Sequence, residues 1–307
     1  MPSHSHIHSH GSHSFGTDDA GFADLLDLDG QVLHNHLFEV TNWVRAHVAS
    51  APRLRILDLG AGTGTGTMAL ASRFPTATIV AVDMVPNLLE AVRTKAVAWS
   101  VTDRVSTAQV DLDSSWPAGP PADLIWAASA LHELAHPDAA LTNAFRGLTS
   151  GGLLAVVEMD APPRFFSSAV TSGAAQFESR VHAILAATQV NREDHPDWGP
   201  QLEATGFDLV ERRTFAIDLP SPQPAVTGQY AAAYFRRIAP VVAPGLSSDD
   251  RAMLGILLSD SDPEGLLQRA DLTVQATRTA WVARAGTTAG ATHGVGSGLT
   301  PSTYSPE

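Results

Sequence analysis

LRILDLGAGTGTGTMALA, residues 54–71, decides the fold. Its first six residues are mostly aliphatic and carry an acid near their end, Asp58, which reads as a buried strand. Gly60, Gly62 and Gly64 follow at the turn into a helix, where a missing Cβ permits a tight turn and lets backbone approach a ligand. Helical spacing then runs to about Phe74, and a second β-branched run, ATIVAV at 77–82, leads into another acid, Asp83. An acid about twenty residues beyond a glycine turn can accept both ribose hydroxyls of a nucleoside.

The same rhythm continues downstream. A helix to about Ser100 precedes RVSTAQV (104–110), and DLIWAA (123–128), a helix near 138–148 and LLAVVE (153–158) follow. Alternation of this kind predicts a doubly wound α/β fold with a mostly parallel sheet covered by helices on both faces. Pro86 suits the first turn of a helix, and Gly151-Gly152 reads as the close of a helix before a strand. Upstream, Leu33, Leu37, Val40 and Val44 step by three and four residues, so 25–48 reads as one amphipathic helix able to cap an active site.

After Asp160 the rhythm changes. Pro162 and Pro163 open the stretch 161–196, whose long helical pattern reads as an inserted lid. A short helix, WGPQLEAT, leads to an alternating strand at 207–219; helical patterns at 225–239 and 247–258 precede a last alternating strand at 272–285, expected to be antiparallel and to make the sheet seven-stranded. The expected organisation is therefore a His-rich disordered start (1–20) and one domain over 21–285, followed by a disordered tail (286–307). Within the domain we expect a helical cap (21–50), a cofactor-binding core (51–160), the lid (161–196) and C-terminal strands with a helical insertion (197–285).

Composition excludes several classes. The chain has no Cys, so neither disulfides nor thiolate chemistry are available. A formal net charge of −13 repels a phosphate backbone, and no basic patch overrides it, so nucleic acid is a poor partner. No apolar stretch approaches a membrane span and no secretory signal is visible, which leaves a cytoplasmic protein as the expectation. His4, His6, His8, His10 and His13 would bind a divalent metal only adventitiously, lacking ordered partners, so no metal site is expected.

Glycine spacing chooses the nucleoside. Dinucleotide binders use G-x-G-x-x-G, and here Thr65 and Thr67 break both registers; the pattern is G-x-G-x-G after an acid. In this the chain resembles the class I S-adenosylmethionine-dependent methyltransferases over roughly residues 25–285. The resemblance implies S-adenosyl-L-methionine as cofactor, with Gly60, Ala61, Gly62 and Gly64 along its methionine and ribose portion and Asp58 reaching the ammonium. It further implies Asp83 on the ribose with Met84 beside it, Asp111 and Leu112 at the adenine, and the backbone of Ala127 and Ala128 at the ammonium. LTSGGLLAVVEMD departs from the family only in a turn, with Thr149 and Ser150 replacing a charged residue and proline.

The implied reaction is methyl transfer to an O or N atom of a small organic acceptor. Alignment and exclusion of water do most of that work, with a general base where the accepting atom must lose a proton. Base candidates at the sheet's C-terminal edge are His132, Glu133 and Asp160, together with His136 and Glu158. Packing or turn stabilisation competes with that role for each, as it does for every acid following a strand. His182 and His195 fall in or near the lid, within reach of a substrate, but read as solvated surface histidines. AASA at 127–130 replaces the N-P-P-Y-type signature, which argues against methylation of planar bases or glutamine amides. A nicotinamide-dependent oxidoreductase and a non-catalytic cofactor-binding module are the alternatives. The alanines and aromatics of 225–239 suit either a homodimer face or internal packing.

Overall fold

Seven strands form the sheet: β1 (Arg55–Leu59), β2 (Thr78–Asp83), β3 (Val105–Gln109), β4 (Ala122–Ala128), β5 (Leu148–Met159), β6 (Phe207–Leu219) and β7 (Val274–Ala285). Their order is β3-β2-β1-β4-β5-β7-β6, with the first five parallel and β7 antiparallel to both neighbours. This is the seven-stranded, mostly parallel sheet expected from the sequence. The computed structural model describes residues 20–167, 173–188 and 197–286. The N-terminal His run and His195 lie outside the described residues, as does the tail beyond Gly286.

The central strands are aliphatic because helices cover both faces. Ile56, Ile79, Leu124, Leu153 and Ala155 pack on one face, and Leu57, Ile125, Leu154 and Val156 on the other. The covering helices are α1 (Ala20–Val32), α2 (His34–His47), α3 (Thr65–Arg73), α4 (Pro86–Ala98), α5 (Pro137–Gly147), α6 (Gly173–Thr188), α7 (Trp198–Thr205), α8 (Ala225–Val242) and α9 (Ser248–Leu257). Pro86 opens α4, as its fixed φ allows.

Two local expectations are corrected. The stretch 25–48 is two helices, because Leu33 leaves helical geometry (φ −99°, ψ 20°). The break lets Val32 and Leu33 join the core around α8 while Val40, Trp43 and Val44 join the core on the sheet. Gly151-Gly152 does not close a helix: α5 ends at Gly147, and Gly151 (φ +76°) lies in the irregular start of β5. The segment after β5 begins as packed core, since Phe165 and Phe166 are buried and Arg164 bridges to Gln275 of β7. The alanines and aromatics of α8 (Tyr230, Ala231, Ala232, Tyr234, Phe235) are buried within the chain, in the cluster that also holds Val32 and Leu33 of α1 and Phe177 of α6. Among the described residues no helix is long and apolar enough to cross a membrane.

Candidate functional site

The C-terminal edge of the sheet gathers the residues singled out in the sequence. Beyond β1 the chain turns through Gly60 (φ +64°), Gly62 (φ +54°) and Gly64 (φ +86°), all in the left-handed region that a side chain resists. Gly64 then stands at the N-cap of α3 with no side chain to cap it. The turn is tied to β2: Ala61 N–H donates to the Val82 carbonyl at 2.9 Å and Gly62 N–H to Asp83 Oδ2 at 2.9 Å. The other Asp83 oxygen accepts from Val85 N–H at 2.9 Å, and the Asp83 carbonyl accepts from Val110 N–H at 3.0 Å, so the ends of β1, β2 and β3 are fixed together. Asp83 thus stabilises the turn, and each of its oxygens keeps a lone pair beyond these contacts.

Asp58 lies beneath the turn, 2% exposed, and accepts from the Thr67 hydroxyl at 2.5 Å. Burial raises its pKa to about 7; the Thr67 hydrogen bond opposes this and the Asp83 charge adds to it. The nearby Thr63 hydroxyl and Trp126 Nε1 are buried without a hydrogen-bond partner among the described residues. Unpaired polar atoms are rare in a folded interior, and Thr63 stands within a backbone turn whose glycines let Ala130, Leu26 and Val92 pack closely against it. A polar cofactor lying on this turn fits that inventory.

Along the edge, Met84 is 57% exposed and Leu112 is buried. Asp111 mostly serves its own turn, accepting from Asp113 N–H at 3.0 Å and the Ser114 hydroxyl at 2.9 Å. Ala127 and Ala128 end β4, after which Ser129 (φ +51°) turns the chain away from the sheet.

The base candidates separate into groups. His132 sits on a short 3-10 turn (Leu131–Glu133), its Nδ1 2.6 Å from Glu158 Oε2 and its Nε2 3.1 Å from Glu133 Oε1. Glu158, 2% exposed in β5, also accepts from Leu131 N–H at 3.2 Å. Burial alone would lower the His132 pKa, but the hydrogen bonds and charges of Glu133 and Glu158 outweigh it and raise it to about 10. His132 therefore carries its proton at neutral pH. Asp160 follows β5 directly and donates its backbone N–H to the Thr277 carbonyl at 3.0 Å. His136 instead caps α5, tied through its backbone to Asp113 at 2.8 Å. His182, on α6, is neutral because burial and the Arg164 charge lower its pKa to about 4.

Three contributors lie outside the motifs. Thr67 could have been found as the polar residue one helical turn into α3. Leu26 of α1, against Gly62, and the Asp29–Arg278 pair near β5 have no local sequence signal, since Asp29 and Arg278 are 249 positions apart.

Residues 57–154 match the family model described as a methyltransferase domain. Trans-aconitate 2-methyltransferase of Methylobacterium nodulans is 31% identical over 171 residues, covering 55% of this chain and 63% of the relative. The match thus spans less than two thirds of that relative's length. A candidate methyltransferase from Bacillus halodurans superposes with a TM-score of 0.51 at 18% identity, over 81% of this chain and 100% of that one. The Haemonchus contortus phosphoethanolamine N-methyltransferase 2, solved with S-adenosyl-L-methionine, gives a TM-score of 0.51 at 16% identity over 90% of this chain and 61% of that one. The sheet order with antiparallel β7 and the acid-flanked glycine turn thus accompany a methyltransferase domain matched over residues 57–154, and the two solved structures share the fold.

Proposed function

We propose that this protein transfers the methyl group of S-adenosylmethionine to an oxygen or nitrogen atom of a small organic acceptor. The observation that carries the reading is the Asp83 carboxylate, which accepts from the Gly62 N–H at the junction of β1 and β2, beside a glycine turn with an unpaired Thr63 hydroxyl. In this reading Asp58, Gly60, Ala61, Gly62 and Gly64 hold the methionine end, with the backbone of Ala127 and Ala128 opposite. Asp83 and Met84 hold the ribose side, and Asp111 and Leu112 the adenine.

Bound S-adenosylmethionine supplies a methyl group on a sulfonium, an already activated donor. The chain's own residues align it and exclude water. Glu133 and Glu158 hold the His132 proton, so the carboxylates of Glu133, 46% exposed, and Asp160 are the groups placed to take a proton from the acceptor. A small acceptor is supported by the Methylobacterium relative, named for trans-aconitate, and a net charge of −13 argues against a nucleic acid.

Calorimetric titration with S-adenosylhomocysteine, beside NADH, tests the reading. Saturable binding of the first and none of the second is expected; binding of NADH alone would overturn it. Asp83→Ala should weaken S-adenosylhomocysteine by about 1–3 kcal/mol, because charged hydrogen bonds to the ribose are lost. An unchanged affinity in the folded variant would remove Asp83 from the site.

A further inference from the structure

Helix α1 lies across the glycine turn. Leu26 reaches within 3.0 Å of where a Cβ on Gly62 would stand, and a Cβ on Gly30 would overlap the Thr65 methyl at the start of α3. Beneath it the methionine end of the site is closed, with Asp58 2% and Thr63 2% exposed, whereas Met84 at the other end is 57% exposed. The site is thus open beside Met84, on its ribose side, and closed at its methionine end.

Two polar contacts fasten α1. Asp27 pairs with Lys95 of α4 at 2.5 Å, near the surface. Asp29 takes the stronger fastening: Arg278 of β7 donates to both its oxygens at 2.7 and 3.0 Å, and the Tyr230 hydroxyl of α8 donates to Oδ1 at 2.8 Å. A bidentate guanidinium–carboxylate pair of this kind is geometrically specific as well as strong. Arg278 also lies within the field of Glu158, which holds His132, so the fastening stands beside the acceptor side of the site.

We propose that α1 is a strap that must swing away for the cofactor to enter and leave, and that Asp29, held by Arg278 and Tyr230, is its latch. The inference rests on the cofactor reading above. Leu26 packs against Gly62 and Gly30 against Thr65, so α1 lies over the turn that would hold the methionine end, and in this proposal exchange waits on an open state of α1. Weakening the latch raises the open population and so speeds both entry and exit. A wall residue that merely lined the site would, on mutation, speed exit without speeding entry.

The chain has no Cys, so the strap can be stapled with Gly30→Cys and Thr65→Cys. The Cβ positions are 3.2 Å apart, a few tenths of an ångström under the roughly 3.5–4.5 Å of a disulfide, so the bridge closes with a small shift of α1. With S-adenosylhomocysteine as probe and stopped-flow tryptophan fluorescence as readout, oxidation should slow association about a hundredfold or more, and reductant should restore it. Equal rates in the oxidised and reduced forms would overturn the strap. Asp29→Asn supplies an independent arm that also decides the matter should the reduced double variant fail to bind: association and dissociation should both quicken about tenfold, with Kd within about threefold of the native value. A faster dissociation alone, or no change in either rate, would overturn the latch. Native protein that binds no S-adenosylhomocysteine would instead sink the cofactor reading, and the strap with it.

Discussion

Asp58 shows how one buried carboxylate links folding to ligand binding. Its pKa is raised to about 7 from 3.8, so the neutral acid is the form that the folded, unliganded site favours. A cofactor ammonium beside it would favour the carboxylate instead, and binding would release the proton. Affinity for S-adenosylhomocysteine should therefore be constant above about pH 7 and fall as pH drops, by up to about tenfold per unit. Calorimetry between pH 5.5 and pH 8.5 checks this, as roughly spaced points on either side of the midpoint. A profile that stays flat, or one that persists in Asp58→Asn, would detach this acid from the ammonium. Residues of this kind were legible because Asp58, Gly62 and Asp83 sit within one strand–turn–helix–strand unit, so their spacing is fixed locally. His132 was legible as a candidate but its charge state was not: beyond its neighbour Glu133, the carboxylate that stabilises its proton, Glu158, arrives from another strand 26 residues on.

Among the elements, α7 has the most tightly specified start. Asp197 precedes it in extended geometry and accepts from Gly199 N–H at 3.1 Å; the same oxygen also accepts from the buried indole of Trp281 at 3.0 Å. Arg212 of β6 completes the set at 2.9 Å. A single acid thus caps a helix and joins it to β6 and β7. Asp197→Ala should lower stability by about 1–2 kcal/mol in urea unfolding, with Asp197→Asn recovering most of the loss. Equal stability of the alanine variant would reduce this junction to a surface contact. The 207–219 strand and the WGPQLEAT helix matched the sequence closely because alternation and a capping acid are local signals. The break at Leu33 was not legible, because both halves of the 25–48 pattern are amphipathic and only the choice between two cores separates them.

At the scale of the whole molecule, the sheet carries a core on each face and a third core joins α1, α6, α8 and the segment after β5. Alternating strands announced the first two; the third is built from helices distant in sequence and could be read only as an insertion. Glu178 stands inside that third core. It is 0% exposed and accepts from Phe165 N–H at 2.7 Å, tying α6 to the segment after β5, while its second oxygen has no partner among the described residues and Arg164 stays 4.0 Å away. Burial raises its pKa from 4.5 to about 7, against the lowering by backbone hydrogen bonds and Arg164. Because the folded value lies above the unfolded one, the neutral carboxyl stabilises the fold fully below pH 4.5, and that contribution is lost as pH rises through about 7. Glu178→Gln keeps an acceptor for Phe165 and removes the charge. The variant should match the native chain in urea unfolding near pH 4.5 and exceed it by up to about 3 kcal/mol near pH 8. A variant less stable at pH 8 would mean that the carboxylate is compensated in the folded chain, and that the third core is held together by this charge rather than in spite of it.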